Sequence, residues 1–229
     1  MLKPTELKPK ELAAYIDHTL LKPEATKLQI RKLCEEALEH GFYAVCVNSA
    51  LIATCADILK NTRVRLACVV GFPLGANESS IKSYEASRAF NLGAHEVDMV
   101  LNIGALKAKD YLFVEKEIAE IVRAAAGNIV KVIIETSLLT QNEKTKASEI
   151  CVQAGAHFVK TSTGFGGGGA TVEDIQLIKL AVGSKALIKA SGGIKNLEAA
   201  IALINAGANR LGTSSGVQLV AGIEAQLGY

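Results

Sequence analysis

Two lysines stand where lysine is rare. Lys160 lies in the run HFVKTS and Lys189 in the run ALIKAS, each among apolar and β-branched neighbours. A lysine is seldom fully buried unless something requires it. Successive side chains of a strand point to opposite faces, so Phe158 and Lys160 share one face, as do Leu187 and Lys189. If the two runs are neighbouring parallel strands about 5 Å apart, their ammonium groups crowd each other in a partly dry site. Desolvation and like charge both favour the neutral amine, so one of the two has a lowered pKa. A lysine prepared in that way can attack a carbonyl and form a Schiff base. Asp98, in EVDMV, has the parity of Glu96 and Val100 and offers a carboxylate that can move protons directly or through water. Singly, each of these residues is more often a structural charge. Three inward charges at strand ends, with a cationic excess, point to catalysis.

Such a site needs strands to carry it, and short β-branched runs alternate with longer amphipathic segments along the whole chain. The predicted strands are AYIDH, YAVCVN, RLACVVGF, HEVDMVLN, KVIIET, HFVKTS, ALIKAS and NRLGT. Between them lie helical patterns such as KLQIRKLCEEALEHG, SSIKSYEASRAFNLG, VEKEIAEIVRAAAG, NEKTKASEICVQAG, VEDIQLIKLAVG and LEAAIALINAG. Glycine closes several of them (Gly41, Gly93, Gly127, Gly155, Gly183, Gly207), a common helix stop. The junctions EHGFY, LGAH, AGAH and AGAN hand each helix straight to the next strand. Alternation of this kind implies parallel strands joined by right-handed crossovers. Eight units in 229 residues fit a (β/α)8 TIM barrel better than an open doubly wound sheet. No Pro/Ser-rich linker interrupts the series, so residues 1–229 are expected to form a single domain, with a short N-terminal helix before strand one. In a barrel the chemistry belongs to the C-terminal ends of strands, which makes Asp17, Cys46, Asp98, Asn102, Glu135, Lys160 and Lys189 the candidates by position.

The stretch Gly164 to Gly169 satisfies G-x-G-x-x-G, but it has five glycines in six residues and its context fails. A dinucleotide turn requires a carboxylate at the end of the next strand, and ALIKAS ends in Lys189 and Ser191. No Gly-Lys-Ser/Thr closes a phosphate loop of the Walker type. An open glycine loop before a helix can still present N–H groups to an anion. In barrels the phosphate commonly sits on the loops after strands seven and eight. Those loops read SGGIKN and GTSSG here, with Gly192, Gly193, Ser214 and Ser215 as the anion-facing residues, while Thr163 and Gly164 complete the wall.

Other chemistries are poorly supplied. A formal net charge of +2 without a basic run, and no tryptophan, offer little to nucleic acid. The N-terminus lacks an apolar signal region, and no apolar run is long enough to span a bilayer, so no membrane partner is expected. Five cysteines without a C-x-x-C pair argue against a disulfide framework and for a reducing cytoplasm. Four histidines without ligand spacing leave metal and other cofactors unexpected. Cys46 reads as a small buried hydrophobe and His18 as a hydrogen-bonded strand-end residue.

The segments YIDHTLLKP, AVCVN, VVGFPLG, EVDMVLNIG, KVIIET, FVKTSTGF, IKASGGI and RLGTSSG follow one another as in the deoxyribose-phosphate aldolase family. The resemblance runs from Tyr15 to Gly216. It implies a class I aldolase that reversibly cleaves 2-deoxy-D-ribose 5-phosphate to D-glyceraldehyde 3-phosphate and acetaldehyde, so that phosphosugar and aldehyde are its partners. It also implies Lys160 as the Schiff-base lysine, Lys189 as the second lysine and Asp98 as the proton relay. Barrels of this kind often form dimers or tetramers, so a homo-oligomer is expected. Some family members carry a phosphate-holding lysine after the TSTG glycine; this chain has Phe165, which shifts phosphate binding to backbone amides and serines. Some use a C-terminal tyrosine in proton exchange, and this chain ends in Tyr229. The readings set against this one are another Schiff-base phosphosugar aldolase or transaldolase, and a non-catalytic phosphosugar-binding barrel.

Overall fold

In the computed structural model, which describes residues 7–223, the eight β-branched runs become parallel strands that pair in sequence order and close. They are β1 (Ile16–Leu20), β2 (Ala44–Val47), β3 (Arg65–Val70), β4 (Glu96–Val100), β5 (Ile129–Ile133), β6 (Phe158–Lys160), β7 (Leu187–Ser191) and β8 (Arg210–Thr213). Strand β8 returns to β1 through the Ile16–Leu211 and Asp17–Gly212 partners. Strand ends differ from the sequence pattern, and two of the differences have a visible cause. Strand β1 starts at Ile16 because Ala13–Tyr15 forms a 3-10 turn after α1 (Pro9–Leu12), the short helix that precedes the barrel. Strand β6 stops at Lys160 because the Thr161 hydroxyl takes over the pairing, donating to the Ser191 carbonyl and accepting from the Ser191 N–H, both at 3.1 Å.

The crossovers are helical: α2 (Lys27–His40), α3 (Ile52–Leu59), α4 (Ser79–Asn91), α5 (Ile103–Lys107), α6 (Tyr111–Ala124), α7 (Gln141–Gln153), α8 (Val172–Val182), α9 (Leu197–Ala206) and, after β8, α10 (Gly216–Ala221). Capping explains most boundaries. Thr26 and Gln29 form a capping box on α2, and Thr140 and Glu143 form one on α7, satisfying N–H groups that a helix start leaves unpaired. Gly41 ends α2 in the left-handed conformation at φ 69°, which glycine adopts without a Cβ clash. Helix α3 escapes the periodicity reading because Leu51 gives it no side-chain cap and its sequence is mostly apolar. The β4–β5 crossover splits in two, since Asn102 caps α5 and Asp110 restarts the chain as α6.

Apolar burial is concentrated between sheet and helices. Val45, Leu66, Val97, Val130, Ile188 and Leu211 pack outward from the strands against residues such as Ile30, Ile118, Ile150 and Ile178. Each such side chain contributes about 1.5–3 kcal/mol on burial. Inside the barrel a second apolar group, Leu21, Cys46, Ala67 and Val69, occupies only the side formed by β1 to β3. The rest of the lumen carries charged side chains, with Val100, Ile133 and Phe158 beside them on the same strand faces. Among the described residues no helix is long and apolar enough to cross a membrane.

The recurrent LGAH, AGAH and AGAN junctions have one geometry. The His95 N–H donates to the Leu66 carbonyl at 2.8 Å, and its Nδ1 accepts from the Leu66 N–H at 3.0 Å. His157 does the same with Val130, and Asn209, through its side-chain oxygen, with Ile188. Three junctions at the N-terminal rim are therefore closed by reciprocal pairs. At the fourth, the Tyr43 N–H donates to Ile16, while its ring stacks under the Arg210 guanidinium at 3.3 Å.

Candidate active site

Register brings the charged residues together. Lys160 on β6 lies opposite Lys189 on β7, and Asp98 on β4 lies opposite Lys131 on β5. Asp98 Oδ2 accepts from Lys160 Nζ at 2.8 Å and from Lys189 Nζ at 2.7 Å, while its Oδ1 accepts from Lys131 Nζ at 2.7 Å. Lys189 also reaches Asp17 at 2.5 Å, and Lys131 reaches Glu96 at 2.5 Å. Arg210 joins the two ends by donating to both Asp17 and Glu96. Four bases (Lys131, Lys160, Lys189, Arg210) thus face three carboxylates (Asp17, Glu96, Asp98), one positive charge too many if all are ionised.

Partner counts decide which base gives way. Arg210 does not deprotonate in proteins, and Lys131 and Lys189 each hold two carboxylates. Lys160 holds one. Burial pulls the Lys160 ammonium below the ordinary lysine value; Asp98 opposes this and Lys189 adds to it. Burial would lower Lys189 too, but Asp17 and Asp98 reverse it and hold it well above that value. Lys131 is raised for the same reason, chiefly by Asp98 against burial. Burial works to neutralise Asp98, yet Lys131, Lys160 and Lys189 together keep its carboxyl well below the usual range. With Lys160 neutral, three cations balance three carboxylates.

Above this network opens a cavity of about 350 Å³, and of the three lysines only Lys160 lines it. Its wall includes all six phosphate-loop residues predicted from the sequence: Thr163, Gly164, Gly192, Gly193, Ser214 and Ser215. The N–H groups of Gly164, Gly193 and Ser214 donate to no protein acceptor among the described residues. Thr163 is different, because its N–H and hydroxyl both go to Glu135 Oε2. The Ser215 N–H is also engaged, with Thr213 Oγ1 at 3.0 Å. Lys195 lines the same cavity; the sequence reading passed over it because it looks like an ordinary helix-approach lysine in SGGIKN. Phe165 packs edge-on against Phe72 at 5.3 Å, giving the mouth an apolar side.

The glycine run follows from close packing between loops. A Cβ on Gly169 would lie 2.5 Å from the Gly192 carbonyl oxygen, and one on Gly166 would lie 2.7 Å from Glu135 Cδ. Glycine is the residue that lets backbones approach this closely.

The other strand-end candidates separate by surroundings. Asp17 belongs to the charge network. Cys46 faces the same lumen among Leu21, Ala67 and Val69, and burial, reinforced by Asp98, pushes its thiol up, away from the reactive thiolate. Asn102 is a helix cap. His18 turns outward to Glu36 at 2.7 Å. Tyr229 lies outside the described residues. Lys131, Glu96 and Arg210 are network members that sequence reasoning missed. The predicted strand KVIIET began at Lys131, whereas β5 begins two residues earlier and places that lysine mid-strand. Alternation with Ile133 was the available signal. Buried lysine alone would have misled, since Lys82 on α4 is equally hidden. It donates to Glu117 and to the Val100 carbonyl, both at 3.0 Å, behind the sheet and away from the cavity. Burial outweighs that pairing and shifts both partners toward their neutral forms.

Among the described residues no group of three or more His, Cys, Asp or Glu side chains could hold a metal ion. Over residues 12–221 the chain matches the model of the DeoC/LacD family of aldolases. It is 56% identical over 219 residues to the deoxyribose-phosphate aldolase of Bdellovibrio bacteriovorus, covering 96% of this chain and 100% of that protein. To the deoxyribose-phosphate aldolase of Thermococcus kodakarensis it is 57% identical over 217 residues, covering 93% and 97%. A solved structure described as a unique tetrameric structure of deoxyribose phosphate aldolase from Aeropyrum pernix matches it at a TM-score of 0.87 and 33% identity, over 93% of this chain and 91% of that one.

Proposed function

The chain belongs to the DeoC/LacD family of aldolases, and from that premise we propose that it cleaves 2-deoxy-D-ribose 5-phosphate reversibly through a Schiff base on Lys160. One observation carries the reading: Lys160 is the lumen amine with a single carboxylate partner, a lowered pKa and a place in the cavity wall. The neutral amine attacks C1 of the open-chain sugar, and proton uptake with loss of water gives the protonated imine, the electron sink for the cleavage. Asp98 then accepts the C3 hydroxyl proton, directly or through water, as the C2–C3 bond breaks and its electron pair enters the enamine. Lys189, held cationic, steadies Asp98 and shares in returning a proton to C2. Hydrolysis releases acetaldehyde and frees Lys160.

The unpaired N–H groups of Gly164, Gly193 and Ser214, with Lys195 beside them, support phosphate in the cavity. The tetrameric relative supports a homo-oligomer, and five buried free thiols fit a reducing cytoplasm. Borohydride reduction in the presence of acetaldehyde tests the central step by mass spectrometry. A two-carbon unit should appear on Lys160. Label confined to other lysines, with activity retained in Lys160→Leu, would refute it.

A further inference from the structure

Glu135 follows β5 and is 2% exposed, yet its backbone sits in the left-handed region at φ 52°. Three other non-glycine residues share that conformation (Asn61, Lys109 and Ala126), and all three are exposed. A buried residue held in an unfavourable backbone conformation marks a place where the surroundings dictate its geometry. Its carboxylate does not line the cavity. Instead Oε2 accepts both the N–H and the hydroxyl of Thr163, and the hydroxyl oxygen in turn accepts from the Phe165 N–H at 3.0 Å. Oε1 has no protein partner among the described residues, so Thr163 is what the carboxylate holds.

A backbone N–H only donates hydrogen bonds, so this chain has one polarity. The Phe165 N–H takes a lone pair of the Thr163 hydroxyl, and the hydroxyl donates to Glu135 Oε2. The two amides on either side of Gly164 are thereby drawn away from the cavity, and the turn is closed around Gly164 at φ 86°. The amide left over is that of Gly164, in the cavity wall. The same loop is tied down again by Ser137, whose hydroxyl donates to the Gly166 carbonyl at 3.2 Å.

We propose that Glu135 is a positioning residue for the phosphate group: acting through Thr163, it fixes the loop after β6 so that the Gly164 N–H faces the anion. This rests on the reading of the cavity as the phosphate end of an aldolase site. It gives an anion site whose shape is set by a buried carboxyl group outside the cavity wall.

The test compares deoxyribose 5-phosphate with unphosphorylated deoxyribose. In Glu135→Ala, the preference for the phosphorylated sugar in kcat/KM should fall about tenfold, the size of one charge-assisted hydrogen bond, mainly through KM. Acetaldehyde should still be trapped on Lys160. Glu135→Gln, which keeps an acceptor, should lie between Ala and wild type. Thr163→Val should lose the preference similarly and Thr163→Ser recover it, so the Thr163 pair decides the matter if Glu135→Ala does not fold. The double variant Glu135→Ala/Thr163→Val should be no worse than either single one. Equal losses on both sugars, or additive losses in the double variant, would overturn the inference while leaving the aldolase reading intact. A wild-type enzyme without preference for the phosphorylated sugar would bring down the phosphate reading and this inference with it.

Discussion

The two rims of the barrel use polar residues at strand ends to opposite effect. At the N-terminal rim, His95, His157 and Asn209 each return a hydrogen bond to the residue whose carbonyl they already engage. Donor and acceptor are matched within the protein, and the junction is closed. At the C-terminal rim, glycine and serine loops leave N–H groups unmatched around a 350 Å³ cavity, and beneath it one lysine has fewer partners than its neighbours. Stability and chemistry are thus segregated along the barrel axis. Polarity does not separate the rims. What separates them is whether each polar group has been answered.

The largest expected effect is at the least-partnered base. Lys160→Leu should lower kcat by a factor on the order of 10^4 or more, as loss of a covalent nucleophile does. Its thermal midpoint should hold or rise, because the change replaces a buried amine that the charge balance does not need with an apolar side chain. A large fall in the midpoint would assign Lys160 to the framework and erase the distinction between the rims.

Lys189→Met removes a cation and leaves three bases facing three carboxylates, so Lys160 becomes necessary as a cation. Its pKa should rise, and the limb of the pH–rate profile that reports the free amine should move to higher pH. A shift of about one unit corresponds to about 1.4 kcal/mol. Activity at neutral pH should fall more than that tenfold, since proton transfer also suffers, and alkaline assay should recover only part of it. An unmoved profile with near-normal activity would break this account of how Lys160 is activated.

Gly193→Glu should raise KM for the phosphorylated sugar far more than for deoxyribose by repelling the anion. Gly193 has φ 74°, so any side chain there adds strain. Gly193→Gln carries the same strain without the charge, and the difference between the two variants isolates the electrostatic part. No difference between them would move the anion site elsewhere.

At the other rim, Asn209→Ala should lower stability by about 1 kcal/mol, the usual contribution of one such hydrogen bond, with kcat/KM unchanged. A loss of catalysis would show that the rims are coupled. The smallest effect is that of pH on the His95 junction. Burial, then Arg65, lowers the His95 pKa below its ordinary value, about 6.5, and the ring accepts from Leu66 only when neutral. Its contribution is complete above about pH 6.5, declines as pH falls toward the lowered folded value, and is constant below that. Chemical denaturation of wild type and His95→Gln across this range should show the decline in wild type alone.

Much of this was legible in one dimension. Alternating β-branched and amphipathic segments, with a glycine after most helices, specify eight strand–helix units, and only a closed barrel satisfies eight parallel strands without a free edge. Lys160, Lys189 and Asp98 were visible because charge in a strand is anomalous wherever the strand lies. Lys131 escaped because its anomaly depends on where β5 begins, and strand ends are set by pairing with neighbours. Glu135 was visible only as a strand-end carboxylate. Its hold on Thr163 joins residues 28 apart in sequence, and no local pattern records it.

Sequence by itself determined the period, the parity and hence which residues face the lumen, because these follow from backbone geometry repeated residue by residue. The balance of charge in the lumen was decided only by the tertiary structure. Which of four bases is left with one carboxylate depends on distances between residues from six strands (β1 and β4 to β8) brought together by closure. Coulombic interaction in a dry interior depends steeply on such distances, so which lysine is left with a lowered pKa is a property of the closed barrel.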